Sequence, residues 1–341
     1  MDENDNLFHS EEEFYHAFIT GLEKMLASDE LGAFILVLAN ASFEKELYAE
    51  LRSQLAERFQ YWREQLHKDA LDRFSPDDVT VFRQLAETGF ENLKTTSFRH
   101  AGIWQLQFNQ LRSFRPSRNA ANAIESISQP FNPDGFHFNK PFLQKEVFWQ
   151  GLIYDKNIKL LYNKFPFASL HGLLLVEPEA EKPQLLDQAA HDFIWRLLDE
   201  HAGHLPMGVG YNAMGGYASV NHQHFQTFVS RKKYPVELAC WEHNGGHLLY
   251  PVSCKKFYDA APAWGHLNTL HEANVAYNLL FRKEAMYCLT RRFQGGYSQA
   301  DWTGGFAWSE VSGTVSLADH AMLKQLTEKD IETELKKLQR L

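Results

Sequence analysis

Apolar residues in the first hundred positions recur every three or four places, the spacing of helices that bury one face. Ser10-Glu11-Glu12-Glu13 is a capping-box signature, and Phe14, Phe18, Leu22 and Met25 follow it. Leu31 to Leu38 is a short apolar run whose length decides neither strand nor buried helix. Ser42 then opens a second amphipathic stretch, with Phe43, Leu47, Leu51, Leu55, Phe59, Trp62 and Leu66 as one stripe. Ser75-Pro76-Asp77-Asp78 is a third helix start. There Val79, Phe82 and Leu85 give the buried face, and Gly89 the stop. These stripes read as core and carry no chemistry.

The period changes near Ile103. Trp104, Leu106 and Phe108 alternate with Gln105, Gln107 and Asn109, as in a strand. Pro133-Asp134-Gly135 is turn chemistry. Ile158, Leu160 and Tyr162 alternate again, and the run from Gly172 to Pro178 reads as a buried central strand. From Pro183 to His201 the pattern is helical, ended by Gly203. Leu267 to Leu279 also reads as helix, Glu284 to Arg292 and Gly304 to Leu317 as strands, and Ile331 to Leu341 as a charged terminal helix. His243 and His247 flank Gly245-Gly246. Paired glycines disfavour the helix that a metal-binding pair at this spacing needs, so this stretch reads as a mobile loop.

Composition narrows the classes. With 341 residues the chain can bury a sizeable core in one or two domains. A net charge of -9 argues against a general nucleic-acid binder. The acidic start MDENDNLFHSEEE lacks the apolar core of a signal peptide, and no apolar run is long enough to span a bilayer. Cys240, Cys254 and Cys288 form neither a disulfide framework nor a thiolate zinc motif. A cytoplasmic protein is the expectation.

Candidate chemistry concentrates between Val209 and Phe228. In an extended strand His222, His224 and Gln226 share a face. Gly215-Gly216 just upstream lets backbone approach a ligand closely, and Ser219 and Asn221 add hydrogen-bonding groups. Two aligned imidazoles admit three readings: satisfied histidines, a metal pair, or a nucleophile with a supporting partner. Gln226 favours the last, because an amide is a poor zinc ligand and a good donor to a phosphate oxygen. Arg112, Arg115 and Arg118, spaced by three around Pro116, are either a solvated basic loop or a guanidinium clamp on phosphate or base. Lys164 is either a surface lysine or a phosphate ligand.

The stretch from Asn212 through Gly215, Ser219 and Asn221 to His222-Gln223-His224-Phe225-Gln226 resembles the active-site motif of the histidine-triad superfamily. The likeness is to its transferase branch, and within it to the GDP-hexose phosphorylases. Weaker likeness covers roughly residues 104–338. It includes the linker from Gln129 to Lys140, with Asn132 where the family has aspartate. It also includes the run from Arg231 to Glu237 and the segment from Phe306 to Gly313. The resemblance implies an α+β fold: a histidine-triad-like antiparallel sheet with packed helices, in two related halves, preceded by a helical region. The implied boundaries are 1–98 (helical), 99–234 (catalytic half) and 235–341 (second half, without catalytic histidines).

The resemblance also implies a covalent mechanism. His224 is the nucleophile, His222 orients it, and Gln226 donates to a non-bridging oxygen. Ser219 and the amides near Gly215-Gly216 stabilise developing charge, with Asn212, Asn221, Arg112, Arg115 and Lys164 as further nucleotide or phosphate ligands. His171, at a turn the superfamily shares, has a structural role. Glutamine cannot titrate, so the site favours transfer over hydrolysis. The expected substrates are a nucleotide sugar, GDP-hexose before others, or a dinucleotide, with phosphate or a sugar phosphate as acceptor. No cofactor, metal, nucleic acid or membrane is expected, and a homodimer is compatible. A diadenosine-tetraphosphate phosphorylase and a hexose-1-phosphate uridylyltransferase stay open within the branch. A metal-dependent His-x-His enzyme and a non-catalytic nucleotide-binding module stay open outside it.

Overall fold

The computed structural model describes residues 7–115, 124–201 and 203–340. Four helices come first: α1 (Glu11–Leu26), α2 (Leu31–Phe43), α3 (Lys45–His67) and α4 (Pro76–Thr88). The Ser10 hydroxyl accepts from the Glu13 amide at 3.1 Å, capping α1. The ambiguous apolar run is helix. α2 is apolar on every side because neighbours surround it: α1, α3 and α4 all pack on it, and Phe34 to Leu38 are fully buried. Each such side chain contributes about 1.5–3 kcal/mol by leaving water. Its one carboxamide, Asn40, donates to Leu36 O and to Asn163 O, so no buried donor is stranded. Ser42 does not open α3. It lies in the last turn of α2 with its hydroxyl on Ala39 O. In α4, Val81 is buried with Phe82 and Leu85, while Val79 is only partly covered.

These helices share one core with the sheet that follows. Phe18 of α1 meets Phe148 and Tyr162 edge-on, and the Tyr162 hydroxyl donates to Phe18 O.

The remaining elements are β1 (Ser97–Ala101), β2 (Trp104–Phe108), α5 (Gln110–Ser113), β3 (Val147–Ile153), β4 (Lys156–Tyr162), β5 (Gly172–Val176), α6 (Gln188–His201), β6 (Met207–Asn212), β7 (Phe225–Val229), β8 (Ser253–Phe257), α7 (Ala260–Glu272), β9 (Ala276–Arg282), β10 (Ala285–Arg291), α8 (Trp308–Val311), β11 (Thr314–Ser316), α9 (Met322–Gln325) and α10 (Glu328–Lys336). The main sheet has the order β3-β4-β5-β7-β6-β9-β10-β8, with every neighbouring pair antiparallel. A small sheet, β1-β2-β11, brings the C-terminal region back beside β2. The expected α+β class, an antiparallel sheet with packed helices, is what the chain adopts.

One topology occurs twice. β5-α6-β6-β7 has spatial order β5-β7-β6, and β8-α7-β9-β10 has spatial order β8-β10-β9. The two units meet where β6 pairs with β9, and α6 packs against α7. Along β7 side chains alternate. Phe225 joins the core that includes α6, and Phe228 joins a second core containing Trp308.

Four expected elements differ. α6 begins at Gln188, not at Pro183, because Asp187 caps it by accepting from the Ala190 amide at 2.8 Å. The helix expected from Leu267 runs from Ala260 to Glu272, and Ala276 onward is strand. The stretch from Gly304 to Leu317 holds the helical turn α8 before the short β11. The loop around His243 is a bonded turn and not a mobile one: the Gly246 amide donates to Trp241 O, and a His243 ring nitrogen meets Val236 O at 2.8 Å.

Candidate active site

His222 and His224 precede β7, which starts at Phe225, so they are not residues of a paired strand. Their backbone is held instead by the irregular segment before α6. The Gln223 amide donates to Lys182 O at 2.9 Å, and the His224 amide to Gln184 Oε1 at 2.8 Å. The buried Gln184 amide group then donates to His224 O and Asn212 O. One glutamine thereby ties the histidine segment to the end of β6. Periodicity placed Gln184 inside a helix, where nothing marked it.

The two imidazoles are not equivalent. The Phe138 amide donates to His222 Nδ1 at 3.1 Å, which leaves the His222 proton on Nε2, 3.1 Å from Pro178 O. Both ring nitrogens of His222 are therefore engaged. His224 Nδ1 lies 2.7 Å from His222 O, a carbonyl that only accepts, so Nδ1 carries the proton. Nε2 is left as the unprotonated, nucleophilic nitrogen. Phe138 lies against both rings, at centroid distances of 5.8 Å from His222 and 4.9 Å from His224. With no nitrogen of His222 to spare, the pair does not offer two ligands to a metal.

Burial sets the protonation. Desolvation pushes His224 from the usual 6.5 down to about 4, against the opposing hydrogen bond to His222 O. His222 is also lowered, again by desolvation first. A depressed value means that the folded protein keeps His224 neutral as pH falls through 6.5 and protonates it only near 4. The rate of any reaction in which His224 attacks is expected to show no histidine-like loss between pH 7 and 5. A stopped-flow pH profile checks this, and a loss centred near 6.5 would contradict the geometry.

Gln226 sits beyond the histidines. Its Oε1 accepts from Trp308 Nε1 at 2.7 Å and from His171 Nε2 at 3.2 Å. His171 must carry its proton on Nε2, because its Nδ1 accepts from the Phe167 amide at 3.2 Å. Desolvation, with the Arg112 charge nearby, pushes His171 down to about 3, so it stays neutral. Two donors on the carbonyl oxygen fix which end of the amide is free, and the NH2 group is what Gln226 offers to an incoming oxygen. His171 is thus structural in its bonds.

Trp308 reaches Gln226 only because Gly210 has no side chain. A Cβ there would lie 2.2 Å from the indole, which stacks on Phe228 at 5.1 Å. Gly210→Ala is expected to push the ring aside and destabilise the fold by about 1–3 kcal/mol, measurable as a shift in urea midpoint at unchanged m.

Several expected ligands are used inside the protein. Asn212 Oδ1 accepts from Asn278 Nδ2 at 2.7 Å and the Trp308 amide at 2.8 Å. Asn221 accepts from the Gln184 amide and donates to Pro130 O and Gln129 O, anchoring the linker. Gly215, at φ +77°, is needed because a Cβ would strike Phe293, and one on Gly216 would strike Tyr277 O. The Gly216 amide is spent on Ala213 O, so the glycine pair is a packing device. Ser219 is exposed beside the histidine segment. Arg112 donates to Phe165 O at 2.6 Å and lies over the Phe167 ring, with the buried Glu310 and His171 near its charge. Arg115 lies over Phe165. Arg118 lies outside the described residues. Lys164 pairs with Asp78 of α4 at 2.6 Å, so its charge is spent on holding a helix.

The structure therefore joins His171 and Trp308 to Gln226, with Arg112 near His171, and His224 to His222 just upstream in the chain. Gln184 and Phe138 were missed as functional positions, and Trp308 was visible only inside a run of family likeness.

Residues 103–228 match the family model described as GDPGP1-like, N-terminal domain. GDP-D-glucose phosphorylase 1 of Homo sapiens is 36% identical over 199 residues, covering 53% of this chain and 50% of that protein. The Bos taurus protein of the same name is 33% identical over 186 residues, 50% of this chain and 47% of that one. The chain spans about half the length of the curated relatives it matches. Among solved structures, yeast Ap4A phosphorylase Apa2 in complex with Ap4A is similar at 16% identity and TM-score 0.49, over 78% of this chain and 99% of that one. Residues 103–228 are therefore similar to the GDPGP1-like N-terminal domain, and the chain is similar in sequence to the GDP-D-glucose phosphorylases over about half its length.

Proposed function

We propose that this chain is a nucleotidyl-transferring phosphorylase that acts on a nucleotide sugar, with GDP-hexose as donor and phosphate as acceptor. The observation that carries the reading is the His224 tautomer. Nδ1–H is held by the His222 carbonyl, which leaves a neutral Nε2, and Gln226 follows two residues later in the chain. The names of its relatives support GDP-D-glucose as the donor.

In this reading His224 Nε2 attacks the α-phosphorus of GDP-hexose. The bond from that phosphorus to the bridging oxygen breaks, and hexose 1-phosphate leaves. Phosphate then attacks the guanylyl-histidine, the P–N bond breaks, and GDP is released. Splitting the displacement lets one site serve both half-reactions. The Gln226 NH2 donates to a non-bridging oxygen that gains charge in each transition state. His222 acts by position: it fixes the backbone carbonyl that sets the His224 tautomer. Ser219, Arg112 and Arg115 add to this electrostatic field in the same reading. Assignment to the cytoplasm and to a homodimer belongs to the same proposal. Among the described residues no helix is long and apolar enough to cross a membrane.

Intact-protein mass after mixing with GDP-glucose and no phosphate tests the reading. A gain of one guanosine monophosphate, discharged by phosphate as GDP, is expected. No adduct with GDP-, UDP- or ADP-glucose or diadenosine tetraphosphate would overturn it.

A further inference from the structure

Far from the histidines, where β6 begins and β7 ends, a cavity of about 270 Å³ opens between the two β-α-β-β units. Ser230, on its wall, lies six positions beyond His224. At about 3.3 Å per residue that places the cavity roughly 20 Å from the site described above. Its lining is basic in a chain of net charge -9. Arg231, Lys233, Lys256, Arg282 and Lys283 face it, against two carboxylates, Glu237 and Glu284.

The pairing inside the cavity is incomplete. Glu237 takes Arg282 at 3.2 Å, and Arg231 reaches out to Glu11 at 2.7 Å. Among the described residues no ion pair engages Lys233, Lys256 or Lys283. Lys256 Nζ instead lies over the rings of Tyr258 and Tyr287, 4.7 and 5.4 Å from their centroids. Arg282 spends two nitrogens on Glu237 and on Ser230 O and Lys232 O, and keeps Nη1 buried with no hydrogen-bond partner. The buried Arg282 Nη1 lacks a partner, while Lys233 and Lys283 are exposed and Lys256 partly so, and among the described residues no carboxylate answers their charge. The positions come from four separate segments: the ends of β6 and β7, the β8 strand and the β9–β10 turn. The cluster is therefore made by the fold and is not a solvated run of sequence.

We propose that this cavity is a second, non-catalytic site for a small phosphorylated anion, of the size of pyrophosphate or a sugar monophosphate. Its volume is below that of pockets for drug-sized ligands, and too small for a nucleotide sugar. Oxygens of the anion accept from Lys233, Lys256 and Lys283, charge-assisted bonds of the strong kind, with the Arg282 charge adding to the field. Tyr258, exposed at the rim, covers the ester end.

Calorimetric titration of the full chain with inorganic pyrophosphate and, separately, glucose 1-phosphate tests the proposal. Binding at this site is expected to weaken steeply with added salt and to weaken at least about tenfold in Lys256→Glu/Lys283→Glu. Lys283→Gln, a turn substitution that leaves the strands alone, is expected to weaken it less at an unchanged melting temperature. Unchanged binding in both variants would overturn the assignment and place the anion elsewhere. So would failure of the wild-type chain to bind either anion at millimolar concentration. Pyrophosphate binding with no glucose 1-phosphate binding would limit the ligand to inorganic phosphates.

Discussion

On the proposed reading His224→Ala is expected to form no nucleotidyl adduct and to turn over no GDP-glucose, while its melting temperature stays within a few degrees of wild type. The expectation follows from which nitrogens are spent. His222 donates and accepts through its two ring nitrogens, to Pro178 O and from the Phe138 amide, and has none to attack with. His224 has one bond, to a carbonyl, and one nitrogen left over. Removal of the nucleophile of a two-step displacement leaves only direct attack by phosphate, so the loss is of several orders of magnitude. His222→Ala is a contrasting case. It leaves the His224 ring in place but strands the Phe138 amide and loosens the linker, so adduct formation slows and does not vanish. Mass spectrometry of both variants with GDP-glucose decides it. An adduct on His224→Ala would assign the nucleophile elsewhere.

Gln226→Glu is expected to lower kcat by about 10²–10³, roughly 2.7–4 kcal/mol of transition-state stabilisation, with the fold intact. The substitution is chosen for what it preserves. One carboxylate oxygen still accepts from Trp308 and His171, so neither donor is stranded. The other oxygen stands where the NH2 group stood and presents negative charge to a phosphate that is already anionic. Gln226→Leu would confound the measurement by leaving two buried donors unmet. Single-turnover rates of adduct formation at pH 8, where the new carboxylate is ionised, give the effect. A wild-type rate in Gln226→Glu would remove Gln226 from the chemistry.

Much of the fold is legible in local pattern. The helices α1 and α4 announce themselves by start signals and stripes, and α3 by its stripe alone, since a helix that buries one face must repeat its apolar residues at that period. β2 and β4 are as plain by alternation. α2 is not, because an element enclosed on all sides has no polar face to set a period. The stretch from Gly304 to Leu317 reads as strand for a related reason: Trp308 to Val311 are all buried in the helical turn, so no exposed polar position there sets a helical period.

The candidate site divides along the same line. By itself the sequence pointed to His222, His224 and Gln226 as one set, by the alternation expected of extended chain. It also determined that the third member is an amide that cannot titrate. Only the tertiary structure decided what each group does. The tautomer of His224 depends on a backbone carbonyl, and the occupation of His222 on Phe138 and Pro178 from distant loops. The free end of Gln226 depends on an indole from the C-terminal region and an imidazole before β5. Asn212 and Asn221 looked like ligands and became struts for the same reason. A polar side chain shows its type in the sequence, but whether its hydrogen bonds are already spent is settled by residues up to 96 positions away.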